Sequence, residues 1–206
     1  MFTEIRSALR PALVLLLLLT AITGLAYPLA MTGLAQVALP AQANGSLIRK
    51  EDRIVGSALI GQSFTDAGYF HGRPSAAGQG YDASASAATN LAPGSKDLHD
   101  AIAARVVDAR AQGLAGSSVP ADLVTASASG LDPHISPEAA IAQVSRVATA
   151  RGLAEPEVRA MVARSIEEPL FAFLGERRVN VLRLNMALDR ASAGRQRAAT
   201  AANVMQ

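Results

Sequence analysis

The sequence predicts a mixed α/β protein that consists of one N-terminal transmembrane helix followed by a single α/β domain. Three observations predict this fold class. No Asp, Glu, Lys or Arg lies between Arg10 and Arg49, so the start of the chain is strongly apolar. Beyond that segment, stretches of β-branched residues predict short strands. Apolar residues at helical spacing then predict amphipathic helices in the second half of the chain.

The composition excludes several classes of function. The 206 residues carry a formal net charge of only +2, which disfavours the clustered basic face of a nucleic-acid-binding protein. The chain has no cysteine, so disulfides, cysteine zinc sites, iron–sulfur clusters and thiol catalysis are excluded together. Half of the residues are apolar, which predicts a folded domain rather than a disordered chain.

The apolar segment has the length of a membrane-spanning helix. Its core covers residues 11–31, and at about 1.5 Å per residue it spans about 31 Å, close to the hydrocarbon thickness of a bilayer. We therefore predict a transmembrane helix and its exit over 11–39, with lipid as its surroundings. The alternative is a signal peptide cleaved near Ala41-Gln42-Ala43, but the apolar region of a signal peptide is usually shorter.

The flanking charges predict the orientation of this helix. Arg6 and Arg10 lie directly before it, whereas Arg49 and Lys50 lie well beyond its end and beside two acidic residues. Positive charges tend to stay in the cytoplasm, so residues 1–10 are predicted to be cytoplasmic and residues 40–206 to lie outside the cytoplasm.

Three residues of the helix are candidates for packing against other membrane helices. Thr20 and Gly24 form a pair of small residues four positions apart, which allows close helix contact. Pro28, together with Gly24, can kink the helix. All three are also compatible with an ordinary transmembrane helix, in which Gly and Pro are common.

Residues 40–190 are predicted to form one domain. Asn44-Gly45-Ser46 predicts a turn at its start, and residues 63–95 predict a long irregular segment. Strands are predicted at three places: residues 54–62, 119–129 and 179 onwards. Helices are predicted from the apolar periodicity at four places: 96–112, 136–152, 155–166 and a short helix up to 188.

Two further details complete this prediction. Glu167-Glu168 is expected to form a solvated helix end, because neighbouring carboxylates on a helix point in different directions. Residues 191–206 contain few large side chains, so we predict a disordered tail.

The sequence lacks the glycine-loop, nucleophile-elbow and metal-ligand motifs of common enzymes. There is no phosphate-binding glycine loop with lysine and no Gly-x-Ser-x-Gly motif. The three histidines, His71, His99 and His134, are widely spaced, so we predict no metal site and assign them to surface or capping positions. No catalytic residues are therefore expected.

Polar residues are instead concentrated in two loops. The first loop is Gly68-Tyr-Phe-His-Gly-Arg-Pro-Ser75, continuing to Asn90-Leu-Ala-Pro-Gly-Ser95, and the second is 125–137. Arg73 is able either to offer a forked donor to a partner or to brace the loop. The hydroxyls and Asp132 of the second loop either bind a polar group or cap their own backbone. The contact candidates are Asn44, Arg73, Ser75, Asn90, Ser127, Ser129, Gly130 and Asp132.

Several segments of the chain strongly resemble the KdpC family, a subunit of the high-affinity potassium-transporting ATPase. Two are especially specific: Tyr69-Phe-His-Gly-Arg-Pro-Ser75 and Thr125-Ala-Ser-Ala-Ser-Gly-Leu-Asp132. The other matching segments are Arg10-Pro-Ala-Leu13, Gln42-Ala-Asn-Gly-Ser-Leu-Ile48, Gly56-Ser-Ala-Leu-Ile-Gly-Gln62, Val119-Pro120, Leu123-Val124, Asn180 and Leu184-Asn-Met-Ala-Leu188.

The resemblance implies an inner-membrane protein with a periplasmic domain. It implies three partners: a channel-like potassium-binding subunit, a P-type ATPase subunit and a small membrane subunit. The family is described as a catalytic chaperone that raises the ATP affinity of the ATPase subunit. No cofactor is expected to bind firmly, and ATP and potassium are expected to act through the complex. Direct contact with ATP is the enzyme alternative, and it is disfavoured because no nucleotide motif occurs and most of the chain is predicted to face away from the cytoplasm. The alternative from the residues is a membrane-tethered periplasmic module that binds a small polar ligand at 127–132.

One segment departs from the family pattern. The family commonly has Ala-Ser-Gly-Gly-Ser-Asn-Leu, where this chain has Ala85-Ser-Ala-Ala-Thr-Asn-Leu91. If either glycine takes a positive φ, Ala87 or Ala88 is expected to be strained.

Overall fold

The computed structural model describes residues 2–114, 118–169, 171 and 173–204. The chain forms two compact units, Met1–Leu47 and Ile48–Gln206. The prediction of a mixed α/β protein with one apolar N-terminal helix is confirmed.

The N-terminal unit is almost entirely helical. It contains α1 (Phe2–Thr20), a π-helical turn (Ala21–Ala26), α2 (Tyr27–Ala38) and the short α3 (Pro40–Ala43). The backbone stays helical at both edges of the π-helical turn, with φ of −60° at Thr20 and −65° at Tyr27. Pro28 lies two residues after this turn. In a regular helix its ring would clash with the carbonyl of Gly24, four residues earlier, so the wider π-helical turn gives the ring room.

Within the described residues, Thr3–Ala38 is long and apolar enough to cross a membrane. Its large apolar side chains are exposed in the protein alone, as expected for a helix that has lipid or other helices around it. A Cβ added to Gly24 would lie 3.9 Å from Thr20 Cγ2, so the predicted packing pair shares one face. The helix ends at Leu39, where φ is −140°.

The turn predicted at Asn44 is confirmed. The Asn44 Nδ2 donates to the Pro40 carbonyl at 2.7 Å and to Gln36 Oε1 at 3.1 Å. Gly45 and Ser46 follow with φ of 85° and 50°. The side chain of Asn44 therefore holds the end of the N-terminal unit together.

The second unit contains two small antiparallel sheets and several helices. A hairpin is formed by β1 (Leu47–Lys50) and β2 (Arg53–Ser57). The second sheet has the order β3-β5-β4. Its strands are β3 (His134–Ile135), β4 (Ile166–Glu167) and β5 (Arg178–Asn180). The helices are α4 (Lys96–Ala111), α5 (Pro137–Ala142), α6 (Val144–Arg151), α7 (Glu155–Arg164) and α8 (Val181–Val204).

The starts of α4 and α5 are each marked by a serine cap. The Ser95 side chain accepts from Leu98 N–H to begin α4, and Ser136 accepts from Ala139 N–H to begin α5. Gly152 ends α6 in a left-handed conformation. The predicted helix over 136–152 is divided in two at Gln143, whose buried side chain turns towards the first loop.

The core lies between the helices and the three-stranded sheet. Phe70 from the first loop is fully buried there. The other large core residues come from β3, α6, α7, β5 and α8: Ile135, Val144, Val147, Val158, Met161, Val162, Val179, Leu184 and Leu188. The first loop is thus part of the core and not a flexible appendage.

The strand predicted over 119–129 is wrong. This segment instead contains a 3₁₀ turn at Ala121–Leu123, and Thr125 Oγ1 donates to the Ala121 carbonyl at 2.8 Å. Local bonding of this kind offers the backbone an alternative to a strand. The pairing strand occurs later, at His134–Ile135.

Two other predictions also need correction. Glu167 lies in β4 rather than at a helix end, because α7 stops at Arg164 and the chain then pairs with β5. The predicted disordered tail begins inside α8, which continues to Val204. Alanine-rich residues favour a helix that is already formed, and Arg195 pairs with Glu157 of α7. Residues 205–206 lie outside the described residues.

Candidate functional site

Two buried amide side chains fix the first loop to the helices. Phe70 N–H donates to Asn185 Oδ1 at 2.8 Å, and Asn185 Nδ2 donates to the Phe70 carbonyl at 3.0 Å. His71 N–H donates to Gln143 Oε1 at 2.8 Å, and Gln143 Nε2 donates to the His71 carbonyl at 3.1 Å. Each amide therefore replaces the partner strand that this backbone lacks.

Arg73 joins the first loop to the second. Its Nε donates to the Thr125 carbonyl at 3.4 Å, and its Nη2 donates to Thr125 Oγ1 at 3.3 Å and to the Ala126 carbonyl at 3.4 Å. Its Nη1 lies 3.5 Å from Asp132 Oδ2. The guanidinium thus contacts the start of the second loop and Asp132 in its middle, so Arg73 braces the two loops against each other.

Ser75 and Gly130 form a second junction between the loops. Ser75 Oγ donates to the Gly130 carbonyl at 2.6 Å and accepts from Tyr81 N–H at 2.8 Å. Gly130 has a φ of 67°, and an added Cβ would lie 2.7 Å from both Ala77 N and the Ala87 carbonyl oxygen. Only glycine satisfies both the conformation and the contact at this position.

Tyr81 also stabilises the junction, and the sequence prediction missed it. Its hydroxyl donates to the Arg73 carbonyl at 2.7 Å, and its ring lies against Gly61 and Gly72, where no Cβ would fit. Burial, with the nearby carboxylate of Asp132, raises the pKa of Tyr81 to about 12, although the charge of Arg73 opposes this. Tyr81 is therefore a neutral hydrogen-bond donor at physiological pH.

Ser129 connects the second loop to the segment that departs from the family pattern. The Ser129 carbonyl accepts from Ser86 Oγ at 2.9 Å and from Ala87 N–H at 3.1 Å. The Ser129 hydroxyl accepts from Leu131 N–H at 3.1 Å, which is the capping bond expected for this loop. Neither Ala87 nor Ala88 is among the described residues with a positive φ, so the expected strain is absent.

The other three candidates, Ser127, Asn90 and Asn44, take no part in the hydrogen bonds described above that join the two loops. Ser127 lies on an open groove beside Asp132, and its carbonyl accepts from Gly130 N–H at 3.3 Å. Asn90 is exposed and has a φ of 52°, a left-handed conformation that asparagine tolerates. The bonds described above that join the loops are made by other residues. Asn44 belongs to the N-terminal unit.

Asp132 is the centre of a charged cluster. Its Oδ1 accepts from His134 N–H at 3.0 Å, and the His134 ring lies between Asp132 and Glu167, at 3.5 and 3.8 Å. Glu167 in turn pairs with Arg178 and Arg183 at 3.3 and 3.0 Å. The cluster therefore connects the second loop to β4, β5 and α8.

The carboxyl of Asp132 has a lowered pKa. Burial alone would raise it, but the side-chain and backbone hydrogen bonds of His134 and the charges of His134 and Arg73 together outweigh the burial. The folded state thus binds this proton less tightly than the unfolded state does. The stabilisation is present above the ordinary pKa of 3.8 and is lost as the pH falls through the lower folded value.

We expect Asp132→Asn to destabilise the protein at neutral pH and to have little effect in acid. Asparagine keeps the acceptor for His134 N–H but removes the charge that faces Arg73. The measurement is the urea midpoint of the full chain in mild detergent, followed by far-ultraviolet circular dichroism. The difference between the two proteins should shrink as the pH falls below about 4. A difference that stays constant with pH would show that the charge of Asp132 is unimportant.

The two loops are therefore joined by hydrogen bonds into one surface. Among the described residues, no group of three or more His, Cys, Asp or Glu side chains is arranged to hold a metal ion. The fold and this surface define a class: a small α/β protein with a candidate membrane helix and a preformed loop surface. The chain belongs to the KdpC family, whose model, described as the c chain of the K⁺-transporting ATPase, matches residues 9–190.

The similarity to curated relatives covers nearly the whole of both chains. A potassium-transporting ATPase KdpC subunit from Bradyrhizobium diazoefficiens is 55% identical over 197 residues, 90% of this chain and 98% of the relative. The protein of the same name from Sorangium cellulosum is 59% identical over 183 residues, 88% and 96% of the two chains. The one from Polaromonas naphthalenivorans is 56% identical over 186 residues, 89% and 95% of the two chains.

Proposed function

We propose that this protein is a non-catalytic accessory subunit of an ATP-driven potassium import complex. The observation that carries the proposal is the family match over residues 9–190, which covers the apolar helix and nearly all of the second unit. The relatives named above are subunits of a potassium-transporting ATPase. The partners are the potassium-binding subunit, the P-type ATPase subunit and the small membrane subunit of that complex.

In this proposal the apolar helix spans the inner membrane with its N-terminus in the cytoplasm. Arg6 and Arg10 precede the helix and favour that orientation, which leaves the second unit in the periplasm. Thr20 and Gly24 provide a face for contact with a partner helix. Pro28 lies next to the π-helical turn and modifies the shape of the same helix.

The loop surface is suited to contact the potassium-binding subunit near the ion entrance. Arg73 and Asp132 are already paired with each other, so they stabilise the shape of the surface rather than offer free charges. Because the loops are ordered before binding, little conformational entropy is lost when a partner binds.

An effect on ATP affinity does not require contact with ATP. A subunit that binds one conformation of the complex more tightly than another shifts the population of conformations. By linkage, it then changes ligand affinity at a distant site. We therefore assign this protein an allosteric influence on the ATPase subunit and no nucleotide site of its own.

Co-purification tests the proposal. The full chain, tagged at its C-terminus, is extracted in mild detergent from cells that also produce the other ATPase subunits. We expect these subunits to be recovered with it in a fixed ratio, and potassium-stimulated ATP hydrolysis to be recovered as well. Recovery of the tagged chain alone would contradict the proposal.

Recovery of the chain alone would instead favour a tethered binding module for a small polar ligand. A groove of about 550 Å³ is lined by Ser127, Ser129 and Asp132, which is the observation in favour of that alternative. However, the Ser129 hydroxyl and the Asp132 carboxylate already accept bonds from their own backbone, so a ligand would have to compete with them.

A further inference from the structure

The ring of His71 in the first loop lies between a backbone carbonyl and an arginine. Its Nε2 is 3.0 Å from the Asp66 carbonyl oxygen and 3.5 Å from Arg146 Nη1 of α6. A bond to the carbonyl requires a proton on Nε2, so Nδ1 is the place where a second proton binds. The sequence predicted a surface or capping position for this histidine, but the residue is half-buried.

Arg146 holds the backbone directly before His71. Its Nη1 donates to the Ala67 and Tyr69 carbonyls at 2.7 and 3.0 Å, and its Nη2 donates to Gln143 Oε1 at 2.7 Å. Its Nε is buried without a hydrogen-bond partner. Among the described residues, none of its hydrogen bonds goes to a carboxylate, so its positive charge is compensated only by dipoles.

The other charged and titratable groups around His71 compensate a second positive charge only weakly. Asp66 lies on the same segment and is exposed. The remaining groups line a cavity of about 310 Å³ together with His71, and they are Arg73, Tyr81, Arg105 and Asp108. Arg73 is already paired with Asp132, and Asp108 is exposed. Solvent screens the exposed carboxylates, whereas Arg146 is half-buried and in contact with the ring.

The pKa of His71 is accordingly lowered from its ordinary value of 6.5. Burial is the largest cause and the charge of Arg146 adds to it, whereas the bond to the Asp66 carbonyl, the Gln112 side chain and the charge of Asp66 oppose the change. The unfolded chain therefore binds this proton more tightly than the folded chain does. The stability is fully present above 6.5 and is lost as the pH falls towards the lower folded value.

We propose that protonation of His71 repels Arg146 and loosens the start of the first loop, so that acid weakens the contact with the other ATPase subunits. The first part concerns this chain alone, and the second part rests on the proposed function. When Arg146 moves, the Ala67 and Tyr69 carbonyls lose their donor. His71 is thus a positioning residue that acts through Arg146 and makes the loop surface sensitive to acid.

The titration of His71 in the isolated full chain is the first test. Nuclear magnetic resonance of isotope-labelled histidine in mild detergent gives a midpoint for each ring, and His71→Gln identifies the resonance of interest. We expect a midpoint below that of His99, whose side chain is 84% exposed. Arg146→Gln should raise the His71 midpoint, because it removes the repelling charge. A midpoint equal to that of His99, or one that Arg146→Gln leaves unchanged, would overturn the inference.

Arg164→Gln is the matched control for the removal of an arginine charge. Arg164 is exposed at the end of α7, so this variant should leave the His71 midpoint where it is in the unaltered chain. If Arg164→Gln raises the midpoint as much as Arg146→Gln does, contact with Arg146 is not the cause and the inference fails.

The second test compares unfolding midpoints in urea at pH about 7.5 and about 5.5, on either side of the ordinary histidine value. We expect the unaltered chain to lose more stability in acid than His71→Gln does. Glutamine stays neutral, and its amide is also able to donate to the Asp66 carbonyl. His99→Gln is the same substitution at an exposed site and should keep the pH dependence of the unaltered chain. Equal losses in the unaltered chain and His71→Gln would contradict the inference.

Co-purification at the two pH values separates this inference from the proposed function. We expect the unaltered chain to recover fewer of the other subunits in acid, and His71→Gln to recover them equally at both pH values. If no subunits are recovered even at neutral pH, the proposed function fails, while the titration of the isolated chain still decides the role of His71. If acid lowers recovery equally for both proteins, the link between His71 and the partner contact is refuted.

Discussion

Replacing Asn185 by leucine is expected to lower the free energy of unfolding by about 2–6 kcal/mol. Leucine has a similar volume, but it leaves the N–H and the carbonyl of Phe70 without the bonds of 2.8 and 3.0 Å that Asn185 provides. Both groups are buried, and each unsatisfied group costs about 1–3 kcal/mol. Chemical unfolding of the full chain in mild detergent, followed by far-ultraviolet circular dichroism, measures this loss.

Ser145→Leu is the matched control for this substitution. Ser145 is exposed on α6, so the same leucine is introduced on a helix without removing a buried bond. We expect a change within about 0.5 kcal/mol for this control. Equal effects of the two substitutions would contradict the assignment of Asn185 as the anchor of the first loop.

The second large effect is expected at Gly130, where the two loops meet. In Gly130→Ala the residue would have to keep a φ of 67° while its Cβ lies 2.7 Å from two backbone atoms. The left-handed conformation costs about 1–2 kcal/mol for a residue with a Cβ, and overpacking adds about 1–3 kcal/mol. We therefore expect a total loss of about 2–5 kcal/mol in unfolding free energy, together with weaker recovery of the other ATPase subunits.

Gly152→Ala separates the two causes. Gly152 has nearly the same φ, 61°, but nothing lies within 4 Å of its added Cβ. This variant should lose only the conformational part, about 1–2 kcal/mol, and should retain the partner subunits. If Gly130→Ala and Gly152→Ala lose the same unfolding free energy and recover the other subunits equally, the close approach of the loops at Gly130 contributes neither to stability nor to partner binding.

The sequence predicted the helices well because their signals are local. Ser95, Ser136 and Gly152 mark helix ends through bonds or conformations that involve only nearby residues. The apolar N-terminal helix followed from length and charge alone. The strand predicted over 119–129 was wrong because strand formation depends on a partner far away in the sequence, whereas Thr125 finds a local acceptor.

The loop junction was predicted only in part. Arg73, Ser75, Gly130 and Asp132 were identified as candidates, and the structure brings them together. Their contacts with one another could not be predicted, because they join residues more than 50 positions apart in the sequence. The packing of Tyr81 could not be predicted from the sequence, because its side chain fills space left by the missing Cβ atoms of Gly61 and Gly72.

Gln143 and Asn185 did give a signal that was overlooked. Each is a polar residue whose neighbours on the same helix side are apolar, namely Ala140 and Val147 for Gln143 and Leu182 and Leu188 for Asn185. A buried amide in such a position needs hydrogen-bond partners, and the backbone of the first loop supplies them. A polar residue on an apolar helix face therefore predicts that the helix is hydrogen-bonded to the backbone of a loop packed against it.

Site-specific photo-crosslinking in intact cells is the most direct test of the central claim, that the loop surface contacts the potassium-binding subunit outside the cytoplasm. A photoreactive residue is placed at Ser127, which lies on the open groove of the second loop, and another at exposed Ser145 on α6 as the control. The account predicts a crosslink from position 127 to the potassium-binding subunit and none from position 145. A crosslink from position 127 to a cytoplasmic part of the ATPase subunit, or to no subunit, would contradict it.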